Sequence, residues 1–288
     1  MIERVVIVGT GLIGSSIGLA LRAAGFSGLI SGVDLSEEEL RQALAMGAIG
    51  EALEGEERVL EAVTAADVIM LAVPVLGILD WMQRLAPLLG PGQLVTDVGS
   101  TKGSIAELAG RLYNGDGQAR FLPGHPMAGK ESGGAALAEA RLLNGATWLF
   151  TALPGAASEL EVEWQDWVRR FGCRVVEMEA GRHDVVCAWV SHLPQYVSTA
   201  MAALLEDEFR EAPEVAGEFL AIGGRALREM TRLGASPYSM WRDVAMTNTD
   251  AVAATLLALE QRLAHLRENL RTPELRDEFA RANAFRKR

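Results

Sequence analysis

The chain has 288 residues, 49% hydrophobic and 23% charged, a composition that excludes disorder and suits one large domain or two of ordinary size. Its 27 basic and 38 acidic residues leave a net charge of −11, which argues against nucleic acid or an anionic membrane as partner; any anion site must gather its cations locally. Cys173 and Cys187 form no disulfide framework, no signal-like leader precedes the first apolar run, and the run Val68 to Leu79 is broken by Pro74 and Gly77 and too short for a bilayer, so the expected place is the cytoplasm.

Val5-Val6-Ile7-Val8 predicts a buried strand, Gly9-Thr10-Gly11-Leu12-Ile13-Gly14 follows at once, and Ser15 to Ala24 is helical in pattern. G-x-G-x-x-G between a strand and a helix is a dinucleotide fingerprint in its required context. Gly9 allows the tight turn, Gly11 admits a pyrophosphate close to the backbone, and Gly14 lets helix pack on strand. Leu12 and Ile13 open a helix whose free N–H groups face the phosphates. Leu29 to Asp34 reads as the second strand and ends in an acid. Asp34 lies 34 − 14 = 20 residues after Gly14, the separation expected of a carboxylate that binds the adenosine ribose. It would repel a 2′-phosphate, and neither Leu35 nor Ser36 supplies a cation, so the expected cofactor is NAD.

A helix is predicted from Ser36 to about Met46, a short strand at Ile49 to Leu53, and a solvated connection at Glu54 to Arg58. Asp67 to Val73 is a buried strand stopped by Pro74. Further helices are expected at Gly77 to Leu89, Gly103 to Leu112 and Ser158 to Phe171. Further strands are expected at Gln93 to Val98, Arg120 to Leu122, Thr147 to Ala152 and Arg174 to Met178. The alternation predicts an α/β fold, a Rossmann-type doubly wound, mainly parallel sheet. Its carboxyl ends would bring Gly9–Gly14, Asp34, Val73-Pro74, Asp97–Lys102 and Gly124–Gly129 to one crevice. From Ala180 onward strand patterns vanish. We therefore expect a dinucleotide-binding domain over 1–179 and a helical substrate and dimerisation domain over 180–288. Ala-rich faces in the second, such as Ala200, Ala202, Ala203 and Leu204, suit a homodimer.

An alcohol oxidised by hydride transfer needs a base, and histidine suits that work near neutral pH. Of the four histidines, His265 reads as surface or structural, among Leu263, Leu266 and Arg267. His125 sits in a loop after a strand, held extended by Pro126, and is the candidate base. In Asp97-Val98-Gly99-Ser100-Thr101-Lys102, Ser100 or Thr101 caps the next helix, or the Ser100 hydroxyl touches substrate and His125 together. His192 precedes Pro194, which should kink its helix and free the Val190 carbonyl, with Trp189 and Tyr196 as pocket wall. Asp184, beside His183, either favours a positive helix end or orients a ring. Arg225, Arg228 and Arg232 share one helical face, as a solvated stripe paired with Glu218 and Glu229 or as an anion site. No metal is called for. Only Lys102, Lys130 and Lys287 are lysines; none can act as base on the long helix after the nucleotide domain, which counts against a phosphogluconate-type dehydrogenase.

Gly9-Thr10-Gly11-Leu12-Ile13-Gly14-Ser15-Ser16, Asp97 to Lys102, Gly124-His125-Pro126-Met127-Ala128-Gly129-Lys130-Glu131, His183-Asp184, Ser191-His192-Leu193-Pro194, Thr231-Arg232 and Met240-Trp241-Arg242-Asp243 together resemble the prephenate and arogenate dehydrogenases of tyrosine biosynthesis, over most of the chain. The resemblance implies a Rossmann domain followed by a helical dimerisation domain. It implies His125 as catalytic base assisted by Ser100, with His192 and Arg232 holding substrate groups. The implied reaction is NAD-dependent oxidative decarboxylation of prephenate to 4-hydroxyphenylpyruvate. Gln195 stands where some members carry a histidine; placed among the substrate-binding residues, and neutral, it favours prephenate over arogenate. The alternatives are an arogenate dehydrogenase and a catalytically silent NAD-binding regulatory protein.

Overall fold

The computed structural model describes residues 1–151, 153–210 and 213–288; the expected strand end at Ala152 lies outside them. β1 (Arg4–Val8), α1 (Leu12–Ala23), β2 (Leu29–Val33), α2 (Glu37–Ala45), β3 (Glu51–Ala52), α3 (Glu56–Ala65), β4 (Val68–Leu71), α4 (Val75–Leu85), β5 (Leu94–Asp97), α5 (Gly103–Leu112) and β6 (Arg120–Leu122) alternate along the chain. The six strands form one parallel sheet in the order β3-β2-β1-β4-β5-β6. This is the doubly wound dinucleotide-binding order, with its switch point between β1 and β4. Alternate side chains explain the winding: Val5 and Ile7 of β1 join the core under α1 and α2, while Val6 and Val8 join the opposite core with α3, α4 and α5.

Two local expectations give way. The segment read as a solvated connection continues as α3, because Val59 and Val63, four residues apart, bury one face against the sheet. The later strands do not extend the parallel sheet. β7 (Gly124–Pro126), β8 (Thr147–Phe150) and β9 (Arg174–Glu177) form a separate three-stranded sheet, in which β7 runs antiparallel to β8 and β8 parallel to β9. Pro123 alone separates β6 from β7, and α6 (Glu159–Arg170), capped by a Ser158–Glu161 capping box, packs Trp164 into the core beside Trp148.

After β9 the chain is helical: α7 (Ala180–Cys187), α8 (Leu193–Phe209), α9 (Pro213–Thr231), α10 (Tyr238–Thr247), α11 (Thr249–Glu268) and α12 (Pro273–Arg286). A π-helical turn, Ala188–His192, joins α7 to α8. Pro194 in the first turn of α8 has no N–H to give, so the expected kink is taken up as a widened turn. α9 is interrupted at Gly224 (φ 55°, ψ −142°), a left-handed conformation that favours glycine. Arg232 lies beyond it in a 3₁₀ turn, Arg232–Ala235, so it does not continue a stripe with Arg225 and Arg228. No helix of the described residues is long and apolar enough to cross a membrane.

Two buried carboxylates of the helical part reach back to the parallel sheet's helices. Asp184 of α7 accepts the amides of Lys102 (2.7 Å) and Gly103 (2.8 Å) at the start of α5. Asp243 of α10 accepts the Leu76 amide (3.0 Å) at the start of α4. Neither Ser100 nor Thr101 caps α5; Thr101 pairs instead with Thr247 of α10 (2.7 Å). The cap comes from more than eighty residues away.

Candidate active site

Gly9 turns out of β1 with φ 92°; a Cβ there would lie 2.5 Å from the Ala72 carbonyl oxygen and 2.7 Å from Val73 Cγ1. This close approach sets half-buried Val73 and exposed Pro74 beside the glycine turn. A Cβ on Gly14 would lie 1.9 Å from the Gly9 carbonyl oxygen, so only glycine lets α1 start here. A Cβ on Gly11 would meet nothing within 4 Å. Gly11 is also the N-cap of α1, with no side-chain cap and no acid in the first turn. The amides that begin with Leu12 and Ile13 thus face open space at a positive helix end, and the residues present fit a pyrophosphate.

Asp34 follows β2 as expected. Its Oδ2 accepts the Thr10 amide (2.7 Å) and its Oδ1 the Ser36 amide (3.0 Å), so it braces the glycine turn while keeping lone pairs for ribose hydroxyls. Asp34→Ala is expected to weaken NAD by about 10–150-fold, the loss of one charged hydrogen bond of roughly 1.5–3 kcal/mol, and to narrow the preference over NADP. Calorimetric titration with both nucleotides checks it; an unmoved NAD affinity removes Asp34 from the ribose.

At the carboxyl end of β5, Asp97 and Lys102 are both fully buried and paired at 2.5 Å. Asp97 also accepts the amides of Gly99 (2.7 Å) and Gly124 (3.0 Å). The pair therefore ties the end of β5 to the start of β7, the strand that carries His125. Burial lowers the Lys102 pKa, against the Asp97 charge that raises it.

His125 lies within β7 and not in a loop, 7% exposed. Its Nδ1 is 2.9 Å from His183 Nε2, and His183 Nδ1 is 2.8 Å from Asp184 Oδ1. No hydrogen bond joins Ser100 to His125, whose Nδ1 is taken by His183. Nε2 of His125 makes no bond among the described residues. Burial above all, then the nearby His183, Lys102 and His192, hold the His125 ring well below the ordinary 6.5, so the ring is neutral and able to accept a proton. The donor atoms of His125, His183 and Cys187 lie within 4.8 Å of one another. The Cys187 thiol, pushed up to about 12 by burial, stays protonated, and hydrogen bonds join it and His125 to His183.

His192 is fully buried at the end of the π-turn, and burial lowers its pKa to about 4. Its Nδ1 lies 3.3 Å from Asn248 Nδ2; its Nε2 makes no hydrogen bond of good geometry, and the Ser100 backbone lies beside the ring. The aromatic wall beside it is Trp241 of α10, edge-on at 5.9 Å, with Tyr196 packed on Trp241. Trp189, expected in that wall, is exposed because the widened turn carries it round to solvent. The Trp241 indole N–H is buried without a partner. Arg232 forms an ion pair with Glu131, six residues after His125, which brings the guanidinium to the His125 segment.

Gln195 takes a different part from the one expected. Its Nε2 donates to the Leu233 carbonyl (2.7 Å) and Thr199 (3.1 Å), and its Oε1 accepts from Ser236 (3.2 Å). Its amide is spent on the turn that presents Arg232. Arg225 pairs in solvent with Glu229, and His265 sits between Asn269 and Glu278 on α11. Sequence reasoning missed Asn248, the Asp97–Lys102 pair and the indole of Trp241. The second left a signal, a lysine five residues after an aspartate in a chain with three lysines, and Trp241 stands in the Met240-Trp241-Arg242-Asp243 segment of the resemblance; Asn248 left none.

Comparison with known proteins gives a consistent result. The family profile described as "Prephenate dehydrogenase, nucleotide-binding domain" matches residues 17–175, and "Prephenate dehydrogenase, dimerization domain" matches residues 179–283. A prephenate dehydrogenase of Lactococcus lactis is 33% identical over 267 residues, 92% of this chain and 70% of that protein. One from Bacillus subtilis is 30% identical over 255 residues, 88% of this chain and 66% of that protein. The crystal structure of a prephenate dehydrogenase from A. aeolicus, in complex with hydroxyphenyl propionate and NAD+, superposes with a TM-score of 0.87 at 29% identity, covering 100% of this chain and 98% of that one.

Proposed function

From its membership of the prephenate dehydrogenase family, to which this chain belongs, we infer that it catalyses the NAD-dependent oxidative decarboxylation of prephenate to 4-hydroxyphenylpyruvate. The observation that carries the reading is the neutral His125 ring, with an uncommitted Nε2, gathered with two buried donors, on His192 and Trp241.

Prephenate bears a hydroxyl on the ring carbon that gives up hydride and a carboxylate across the ring. NAD, when bound, supplies the hydride acceptor at the carboxyl edge of the sheet. Nε2 of His125 takes the hydroxyl proton as the C–H bond breaks; a general base so placed contributes roughly 10²–10⁴ in rate. The ring carboxylate then departs as carbon dioxide, its C–C bonding pair completing the aromatic ring, and the resulting phenolate oxygen takes back the proton held on His125. Ser100 keeps the assisting role, its hydroxyl bonding the substrate hydroxyl and not His125. The Nε2–H of His192 meets a substrate oxygen, a hydrogen bond made in a buried place. Arg232 offers five N–H donors in a fork that suits a carboxylate, against the acidic field of the whole molecule. Gln195 holds the turn under Arg232.

Arg232→Ala is expected to raise KM for prephenate about 10–150-fold, a loss of roughly 1.5–3 kcal/mol, with a smaller change in kcat. Steady-state kinetics check it, and a change confined to melting temperature assigns Arg232 to the surface. The function itself is tested by mixing protein, NAD and prephenate, with arogenate in parallel, and following nicotinamide reduction by absorbance. Reduction with arogenate alone, or with neither, overturns the reading.

The reading includes a cytoplasmic homodimer assembled through the helical domain, with the division of the chain at 179/180. Support comes from α12, which buries no residue in the single chain, and from Phe279 and Phe285 of α12 and Leu263 of α11, all exposed.

A further inference from the structure

We propose that Asp184 sets two active-site histidines to opposite tautomers, His125 as an acceptor toward the substrate and His192 as a donor. The inference rests on the reading of His125 as the base. An ionised carboxylate only accepts hydrogen bonds. Asp184 Oδ1 faces His183 Nδ1 at 2.8 Å while also accepting the Lys102 amide, and Oδ2 accepts the Gly103 amide. These two amides at a helix start fix the carboxylate with an acceptor oxygen toward the ring, so the His183 proton it receives sits on Nδ1.

His183 Nε2 is then a lone pair. His125 Nδ1, 2.9 Å away, must donate to it, and the Cys187 thiol approaches the same nitrogen at 3.4 Å as a second, weaker donor. With its one proton on Nδ1, His125 presents the lone pair of Nε2 outward. This is the form a base requires.

The other branch runs through the backbone of the same residue. The Asp184 carbonyl can only accept, and it takes Asn248 Nδ2 at 2.9 Å, which settles which end of that amide faces inward. The second hydrogen of the same nitrogen is directed to His192 Nδ1 at 3.3 Å. That nitrogen is therefore the acceptor, and the His192 proton lies on Nε2, buried and in no hydrogen bond of good geometry. One residue thus prepares a proton acceptor and a proton donor in the same pocket. Asp184, His183 and Asn248 are positioning residues, since none needs to touch substrate.

The test is long-range ¹H–¹⁵N NMR on full-length protein labelled at histidine, without NAD or prephenate, with rings assigned through His125→Asn and His192→Asn. The expected spectra place the proton on Nδ1 of His125 and on Nε2 of His192. Asn248→Ala should leave His125 unchanged and let the His192 proton distribute over both nitrogens, raising KM more than it lowers kcat. Asp184→Asn should lower kcat by about 10²–10⁴-fold through the wrong His125 tautomer, with NAD affinity retained. Wild-type spectra with either proton on the opposite nitrogen overturn the proposal, as does an Asp184→Asn protein that keeps both tautomers and full turnover. If that variant fails to fold, the wild-type and Asn248→Ala spectra decide. Because the spectra need no substrate, a chain that shows these tautomers but leaves prephenate unoxidised overturns the substrate assignment and not this one.

Discussion

His125→Asn is expected to lower kcat by at least about 10²-fold, within the 10²–10⁴ that a positioned base supplies, and to leave NAD affinity unchanged. The ring sits on β7 and makes no hydrogen bond to the glycine turn after β1, and Asn fills similar space without a basic nitrogen. The same argument fixes the sign of the pH dependence in wild type. Burial, His183, Lys102 and His192 hold the folded His125 pKa well below 6.5. The ring is competent above its folded pKa and loses competence as pH falls through it, so the acid limb of kcat/KM should lie below pH 6.5. Stability moves in the same direction. His192 binds its proton at about pH 4 when folded and near 6.5 when unfolded. Between those values the unfolded chain binds more protons, and the folded state loses stability as pH drops. Rate–pH profiles and thermal melts from pH 7 to pH 4 check both. A His125→Asn enzyme with normal turnover would falsify the base assignment.

Asp97→Ala should be the most damaging substitution for stability, because it strips the carboxylate from Lys102 where no water reaches. Removing one member of a buried pair costs about 3–5 kcal/mol, and two amides, of Gly99 and Gly124, lose their acceptor as well. At roughly 2–4 °C per kcal/mol for chains somewhat shorter than this one, the melting temperature should fall by roughly 6–20 °C. The diagnostic comparison is with Asp97→Ala/Lys102→Met, which removes both charges and should melt above the single variant. A double variant that melts lower than Asp97→Ala would show that Lys102 contributes by packing and not by charge.

What the sequence disclosed was what neighbouring residues decide among themselves. Gly9, Gly11, Gly14 and Asp34 act through one turn and two adjacent strands, so their spacing carries their role. The helices Ser158 to Phe171 and Gly103 to Leu112 were legible for the same reason. The second sheet was not, since β6 and β7 are three residues each with Pro123 between them, and nothing local marks the change of partner. Tertiary pairing also decided the pocket. Asp184 caps a helix that begins eighty-one residues earlier in the chain. Trp241 displaces Trp189 from the pocket wall because a five-residue π-turn rotates the helix by a fraction no periodicity argument anticipates. Gln195, adjacent to a proline in a motif-rich segment, invites a ligand role; only its three partners reveal that it supports a turn.

The carboxylates of Asp184 and Asp243 have a mechanical consequence. Each satisfies backbone donors across the junction between the sheet-bearing and helical parts, and each is nearly inaccessible to water. Swinging one part against the other would uncover the first turns of two helices at once, at about 0.5–2 kcal/mol for each cap. The enzyme is accordingly stiff along that seam, and the access route for reactants must be opened by shorter segments at its rim. A fragment ending at residue 179 would lack both clamps and leave α4 and α5 frayed at their leading ends, so the cofactor half should be made and handled with its helical companion attached.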